Sequence, residues 1–405
     1  MTIVAGIVCE YNPFHHGHML QINKLRQEKG AEAIVCAMSG WFMQRGEPAV
    51  VVKERRSRMA LACGADLVIE LPALYATRSA HWFALGGVSL LAAAGVTHLA
   101  FGAESDALRD MQATAQRLAF PDTAYQDGLR RFLSAGLPYA EAQTKALNYG
   151  EHQSFVPTLP NDRLALAYLR VIAEMKLPLE PLLIPREGSA YWETALPDEI
   201  SLPASASAIR RKLEQTALLS DVAAYIPQAA LPYLADTPLL FSRDAAPLQL
   251  ALLRRASLDS LRALPDMTEG LEYRVQDAAG RAENLNQFYA LVKTRRYTFT
   301  RLQRMTAHLL IDYRESHAAY LREGAPYLRV LGANETGRQL LHRINKTPIL
   351  PLITRTSQMK ALTRHNPHAA NAWEVERRAA AMYSLLSGSD YTRGNPEYFL
   401  SSIMV

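Results

Sequence analysis

Three histidines and a glycine, His15-His16-Gly17-His18, follow a proline turn at Asn12-Pro13 and stand directly ahead of an apolar helical pattern at Met19, Ile22 and Leu25. Imidazoles donate hydrogen bonds to anionic oxygens, and a glycine between them lets a ligand approach the main chain closely. A helix N-terminus adds unpaired N–H groups and the positive end of a dipole, so the spacing suits phosphate. Two other readings fit the same residues. Buried imidazoles often only satisfy loop carbonyls. Cys9, Glu10, His15, His16 and His18 also offer zinc ligands, although these are crowded into one turn without the paired spacing of structural zinc sites. A second cluster lies in Ser201 to Leu213, with Ser205, Ser207, Arg210, Arg211 and Lys212. It reads either as a solvated basic helix with a serine N-cap or as an anion site in which hydroxyls, N–H groups and arginine hold phosphate from the other side.

The elements that would position these groups alternate. Ile3, Val4, Ile7 and Val8 form a β-branched run, and Ala33 to Met38, Asp66 to Leu71, Thr97 to Phe101 and Leu179 to Ile184 read as further strands. Helical patterns over Met19 to Lys29, Lys53 to Cys63 and Ala80 to Ala94 fall between the first four and end at Gly30, Gly64 and Gly95. This is the pattern of an α/β fold: a parallel sheet with helices on both faces, Rossmann-like and suited to nucleotides. Such sheets bind ligands at strand ends. Here those ends carry Ser39 to Ala49, Gly102-Ala103-Glu104-Ser105, and Arg186 with Glu187, while Asn161 and Asp162 open a strong helix.

Past residue 215 helices separated by proline-containing stretches prevail and strand signals become scarce, which predicts a catalytic part over 1–215 and a mainly helical part over 216–405. Within the latter, Lys293, Arg295, Arg296, Arg301 and Arg304 surround Tyr297 and Phe299. Basic groups interleaved with aromatics suit RNA, whose phosphates need charge and whose unpaired bases need a stacking face; the alternative is the solvated basic start of an amphipathic helix. Lys53-Glu54-Arg55-Arg56 reads in the same two ways.

The chain has 405 residues, 49% hydrophobic and 20% charged, with a net charge of +5, the balance of a globular protein rather than a disordered or membrane-spanning one. Its three cysteines lie in the first 65 residues near apolar runs, which predicts reduced, buried thiols and a cytoplasmic protein. The first apolar run lacks a basic flank and ends at Glu10, unlike a signal peptide, and Phe83 to Val96 is too short to span a bilayer.

His15-x-Gly17-His18 after a strand, with Ser205-Ala206-Ser207-Ala208-Ile209-Arg210 downstream, resembles the two signature motifs of the HIGH-type nucleotidyltransferase superfamily. More narrowly, GIVCEYNPFHHGH, SGWFMQRGEPA, ADLVIELP, FGAES, PNDRLALAYL and KTRRYTFTRLQRM resemble the tRNA(Met) cytidine acetate ligase family over nearly the whole chain. That resemblance implies an enzyme that joins acetate and ATP into acetyl-adenylate, releases pyrophosphate, and passes the acetyl group to N4 of the wobble cytidine of elongator tRNA(Met). It implies an ATP-binding segment at Ile7, Val8, Cys9, Glu10, Tyr11, Asn12, Pro13, Phe14, His15, His16, Gly17, His18, Met19 and Leu20. Gly102, Asn161, Arg186, Ser205 and Ser207 would contact the nucleotide from elsewhere, with His15, His18 and Arg210 acting on the phosphates. Ser39, Gly40, Gln44 and Arg45 are expected over acetate and cytidine, Arg45 facing a carboxylate, a tRNA phosphate or its loop neighbour Glu47. Lys293, Arg295, Arg296, Tyr297, Arg301 and Arg304 are expected on the tRNA, and Mg2+ beside the triphosphate without a resident metal cage. His16 stands where the family usually has a small polar residue, and Trp41 is bulkier than expected beside the acetate. A small-molecule adenylyltransferase of cofactor biosynthesis would use the same two motifs but leave the basic helical remainder idle. A non-catalytic RNA-binding protein would not need His15, His18 and Arg210.

Overall fold

The computed structural model describes residues 2–150, 154–185, 196, 204–268, 270–388 and 394–405. Strands β1 (Ile3–Cys9), β2 (Ala31–Ser39), β3 (Leu67–Leu71), β4 (His98–Ala103) and β5 (Glu180–Pro185) pair in parallel in the order β5-β4-β1-β2-β3. Their apolar runs are nearly continuous rather than alternating because helices cover both faces of the sheet. All five lie where the sequence predicts them. Chain order reverses beside β1, which has β2 on one side and β4 on the other, and a parallel sheet opens a crevice at such a switch point.

The helix that enters this crevice, His16–Gln27, begins three residues earlier than its apolar spacing suggests. His15 is its N-cap: Nδ1 accepts from the Gly17 N–H at 3.1 Å, while His18 Nδ1 accepts from the His15 N–H at 3.3 Å. The histidines thus fill the roles that serine and glutamate usually take in a capping box. Ile22 and Leu25 anchor the other face in the core.

The C-terminal part is mainly helical, as expected, and also returns strands to the sheet. Between residues 242 and 310, helices Ser242–Arg255, Leu271–Arg281, Leu285–Val292 and Phe299–Leu310 enclose a small core of their own around Leu253, Val275, Phe288 and Leu302. The chain then returns to the sheet. β6 (Leu328–Ala333) pairs antiparallel with β3, and β7 (Leu352–Ile353) and β8 (Ile403–Met404) pair with β6. The sheet therefore draws on both sides of the boundary expected at residue 215. β6 escapes sequence reading because it has a single β-branched residue, Val330, and a charge at its second position, Arg329.

Arg329 is tolerated inside because it has partners there. Its guanidinium bonds Glu70 at 2.9 Å and also meets Glu397, while the Lys53 ammonium contacts Glu70, Glu397 and, at 3.4 Å, Glu376. The Lys53, Glu70, Glu376 and Glu397 side chains are wholly excluded from solvent. Buried charges survive only when paired in this way, and removing one partner of such a group typically costs about 3–5 kcal/mol. Lys53, held in this cluster, and Arg56, itself fully buried, are therefore neither a solvated helix face nor an RNA contact. The three cysteines are free and buried, and no described helix is long and apolar enough to cross a membrane.

Candidate active site

A cleft of about 290 Å³ opens at the ends of β1, β4 and β5. One wall is the start of the histidine helix. His15 is buried, and its ring stacks on His18 with centroids 3.7 Å apart. Tyr11 and Phe14 seat the pair from below: the His18 centroid lies 4.8 Å from Tyr11 and 5.4 Å from Phe14. Leu20, Gln21 and Lys24, three, four and seven residues beyond Gly17, continue one helix face along the cleft.

The facing wall is the N-terminus of the helix Ala206–Thr216. Ser205 caps it, accepting from the Ala208 N–H at 3.1 Å. Arg210 reaches back across the cleft: one nitrogen bonds the Asn12 carbonyl at 2.8 Å and another the Glu47 carboxylate at 2.9 Å. Two helix N-termini and a guanidinium thus converge on one space, an arrangement that attracts anions from both sides. Glu47 forms an ion pair with Arg210 at 2.9 Å.

Glu10 closes the inner end. Burial pushes its carboxyl up from the ordinary carboxylate range, opposed by the Gln44 N–H, which bonds it at 2.6 Å, and by the Arg210 charge. Asn12 ties the same loops together, its side-chain oxygen accepting from the Val50 N–H at 2.7 Å. Behind them Arg56, fully buried, donates to the carbonyls of Val51 (3.1 Å), Glu10 (2.7 Å) and Ser39 (2.9 Å) and to Gly40. A single side chain holds the ends of β1 and β2 in register. The third wall rests on a reciprocal pair of carboxylates. Glu104 accepts from the Asn161 amide at 2.6 Å and the Asp162 N–H at 2.9 Å; Asp162 accepts from the Glu104 and Ser105 N–H groups at 2.9 and 3.0 Å. This fixes the Gly102–Ser105 loop against the helix Pro160–Glu174, whose Tyr168 forms part of the floor.

Most of the expected nucleotide residues meet here. Ile7, Val8, Cys9, Glu10, Tyr11, Asn12, His15, Gly17, His18, Leu20, Gly102, Asn161, Ser205, Ser207 and Arg210 line the cleft, with Gln44 and Arg45 from the loop. Pro13, Phe14, His16 and Met19 do not; Phe14 supports the rings, and burial lowers the His16 pKa from its ordinary value at a half-buried position off the lining. Arg186 lies outside the described residues. Ser39 and Gly40 are corrected: they sit behind the cleft, buried against Arg56 and Glu376, because the strand end turns inward there. Trp41 is likewise buried, donating to Glu397 and packing on Tyr383, so its bulk does not reach the cleft. Sequence reasoning missed Lys24 and Tyr168. Lys24 was discoverable from its helical spacing of seven and four residues to Gly17 and Leu20, whereas Tyr168 carries no local signal.

In the basic segment, Lys293, Arg295 and Arg296 are exposed. Tyr297 is not a stacking face: it is buried in the small helical core, with the Arg301 guanidinium over its ring at 5.2 Å. Arg301 also bonds the Asp266 carbonyl at 2.6 Å, and burial brings the Arg304 pKa down to about 10. Arg301 therefore braces its helix against the 266–268 turn, and Arg304 is largely withdrawn from solvent.

A sheet switch point flanked by a histidine-capped helix and a serine–arginine helix defines a nucleotidyl transferase of the HIGH class, and the HIGH Nucleotidyl Transferase family model matches residues 1–396. A tRNA(Met) cytidine acetate ligase of Syntrophomonas wolfei is 38% identical over 98% of both chains, and one of Anoxybacillus flavithermus is 35% identical over 94% of both. A crystal structure of apo Thermotoga maritima TmcAL superposes with a TM-score of 0.92 at 27% identity over all of both chains, and one bound with alpha-thio ATP with 0.89 over all of this chain and 99% of that one. The chain belongs to the tRNA(Met) cytidine acetate ligase family.

Proposed function

We propose that this protein activates acetate with ATP as acetyl-adenylate and transfers the acetyl group to N4 of the wobble cytidine of elongator tRNA(Met). The observation that carries this reading is the pair of anion-binding walls, His15 with His18 opposite Ser205, Ser207 and Arg210, in a chain whose relatives bear that name. An acetate oxygen attacks the α-phosphorus and pyrophosphate leaves, so the enzyme needs no nucleophile of its own. Its task is to hold the reactants and to stabilise charge on the phosphate oxygens, which His15 and His18 do from one helix and Arg210 from the other. Cytidine N4 then attacks the acetyl carbonyl, AMP departs with the electrons of the broken C–O bond, and N4 gives up one proton to water. A base stacked in a helix exposes N4 poorly, whereas a loop base can be extruded. Lys293, Arg295 and Arg296, exposed on one turn, suit the phosphates of that loop.

The carboxylates among the described lining residues are Glu10 and Glu47, the latter bonded to Arg210. That donor set suits Mg2+ brought in on the triphosphate rather than a resident ion. The one described cluster of three acidic ligands, Glu70, Glu376 and Glu397, is filled by Lys53 and Arg329 and lies away from the cleft.

The test is direct: incubate the protein with ATP, acetate and unmodified elongator tRNA(Met), then look for N4-acetylcytidine by nucleoside mass spectrometry. Product that requires all three substrates is expected. Acetate-independent adenylyl transfer to a small molecule would replace this reading with the cofactor-biosynthesis one.

A further inference from the structure

A second cavity, of about 320 Å³, lies across the Gln44–Pro48 loop from the first, and Glu47 lines both. Three helices start at it, Ser242–Arg255, Leu285–Val292 and Phe299–Leu310, so their positive ends face a common space. Gln249, Asn284, Asn286 and Gln303 bring amides to its lining. Phe299 is 42% exposed, unlike the buried Leu302 and Met305 of its helix, and Tyr289 fixes its ring edge-on with centroids 5.1 Å apart. Arg243 stands at the cavity, and Lys293 and Arg295 are exposed in the turn just before Phe299.

An unpaired nucleotide bound by a protein needs a ring to stack on, amide groups for its Watson–Crick edge and cations for its flanking phosphates. All three are present around this cavity. Its shared wall adds selectivity. Arg210 holds Oε2 of Glu47, and Oε1 is an acceptor that the amine of cytosine satisfies and the O4 of uracil repels. We propose that the second cavity receives the extruded cytosine of the RNA substrate, its N4 directed at Glu47 and past it toward the cleft where the acyl group is activated. The proposal rests on the acetyl-transfer reading above and names where its acceptor base binds.

The test compares the full-length enzyme with Phe299→Ala and Asn286→Ala in two assays. Acetate-dependent ATP–pyrophosphate exchange without RNA reports the first half-reaction and also the integrity of the fold. N4-acetylcytidine formation against the concentration of an unmodified tRNA(Met) transcript reports the second. Phe299→Ala should raise the RNA KM roughly ten-fold or more, the effect expected of losing one base stack, and leave exchange within about two-fold of wild type. Asn286→Ala should act in the same direction, several-fold. A transcript with uracil at the target position should compete at least several-fold more weakly than the cytosine transcript. Unchanged RNA KM in both variants overturns the proposal, as does equal loss of exchange and transfer, and equal competition by the uracil transcript overturns the cytosine assignment. A wild-type enzyme that exchanges pyrophosphate but forms no N4-acetylcytidine overturns the acetyl-transfer reading itself, and the proposal with it.

Discussion

His18 lines the cleft and also accepts from the His15 N–H, so its two ring nitrogens have different tasks. Replacing it with alanine removes one side chain from the cleft wall proposed to hold the phosphates and one partner of the cap. Loss of the cap costs about 1 kcal/mol, which the fold survives. His18→Ala should therefore remain folded by circular dichroism while acetate-dependent pyrophosphate exchange disappears. Exchange at wild-type rate would remove the histidines from the phosphate site. Arg210→Lys probes the other wall. Lysine keeps the charge but cannot span the Asn12 carbonyl and Glu47 together. Exchange should fall roughly a hundred-fold, as when a preorganised donor is lost, with little change in Tm. The histidines and Arg210 were legible because motif and spacing coincide. Arg56 was not, since arginine is ordinarily exposed and only an account of where strand-end carbonyls find donors places it inside.

At the scale of elements, the loop between β2 and the helix Lys53–Ala62 separates two cavities, and its shape depends on Gly46. Gly46 has φ +83°, and a Cβ there would lie 2.6 Å from the Gln303 carbonyl oxygen, a main-chain atom that cannot swing aside. Gly46→Ala combines left-handed strain with a clash, a cost of about 1–3 kcal/mol. A fall of several degrees in Tm is expected by calorimetry, together with weaker coupling of ATP binding and RNA binding. An unchanged Tm would mean that the loop does not rest on the Phe299–Leu310 helix. The five parallel strands could be read from β-branched runs and glycine stops. The reach of the loop could not, because its contacts lie more than 250 residues away in sequence.

For the whole molecule, the buried charges couple stability to pH. Glu376 is pushed up to about 8, first by burial and then by the neighbouring Glu70 and Glu397 charges, with Lys53 opposing. A carboxyl with a raised folded pKa binds its proton more tightly in the native state, so its stabilising contribution is complete below about 4.5 and is lost as pH rises through about 8. Glu376→Gln mimics the protonated form, and its Tm should decline less than that of wild type between pH 5 and 8. Parallel Tm curves would show that the carboxyl does not titrate there. The exposed basic turn, proposed above to meet RNA phosphates, is tested at the same scale: Arg295→Glu with Arg296→Glu should weaken tRNA binding in a salt-dependent way and spare exchange. Loss of both activities together would argue against a separate RNA surface.

β6 joins the sheet from residue 328 onward, although its partner β3 ends at Leu71. During synthesis the nucleotide-binding strands emerge first and wait for that partner while the helices of residues 242–310 are made. In the interval β3 offers an open row of N–H and C=O groups, and Glu70 lacks the Arg329 charge that later satisfies it. Pairing over so long a separation is slow, and an unfinished sheet edge is a template for strands of other chains. Nascent chains stalled or cleaved between residues 215 and 328 would carry a complete set of cleft motifs and yet be prone to aggregate, which ties the appearance of a usable site to completion of the chain.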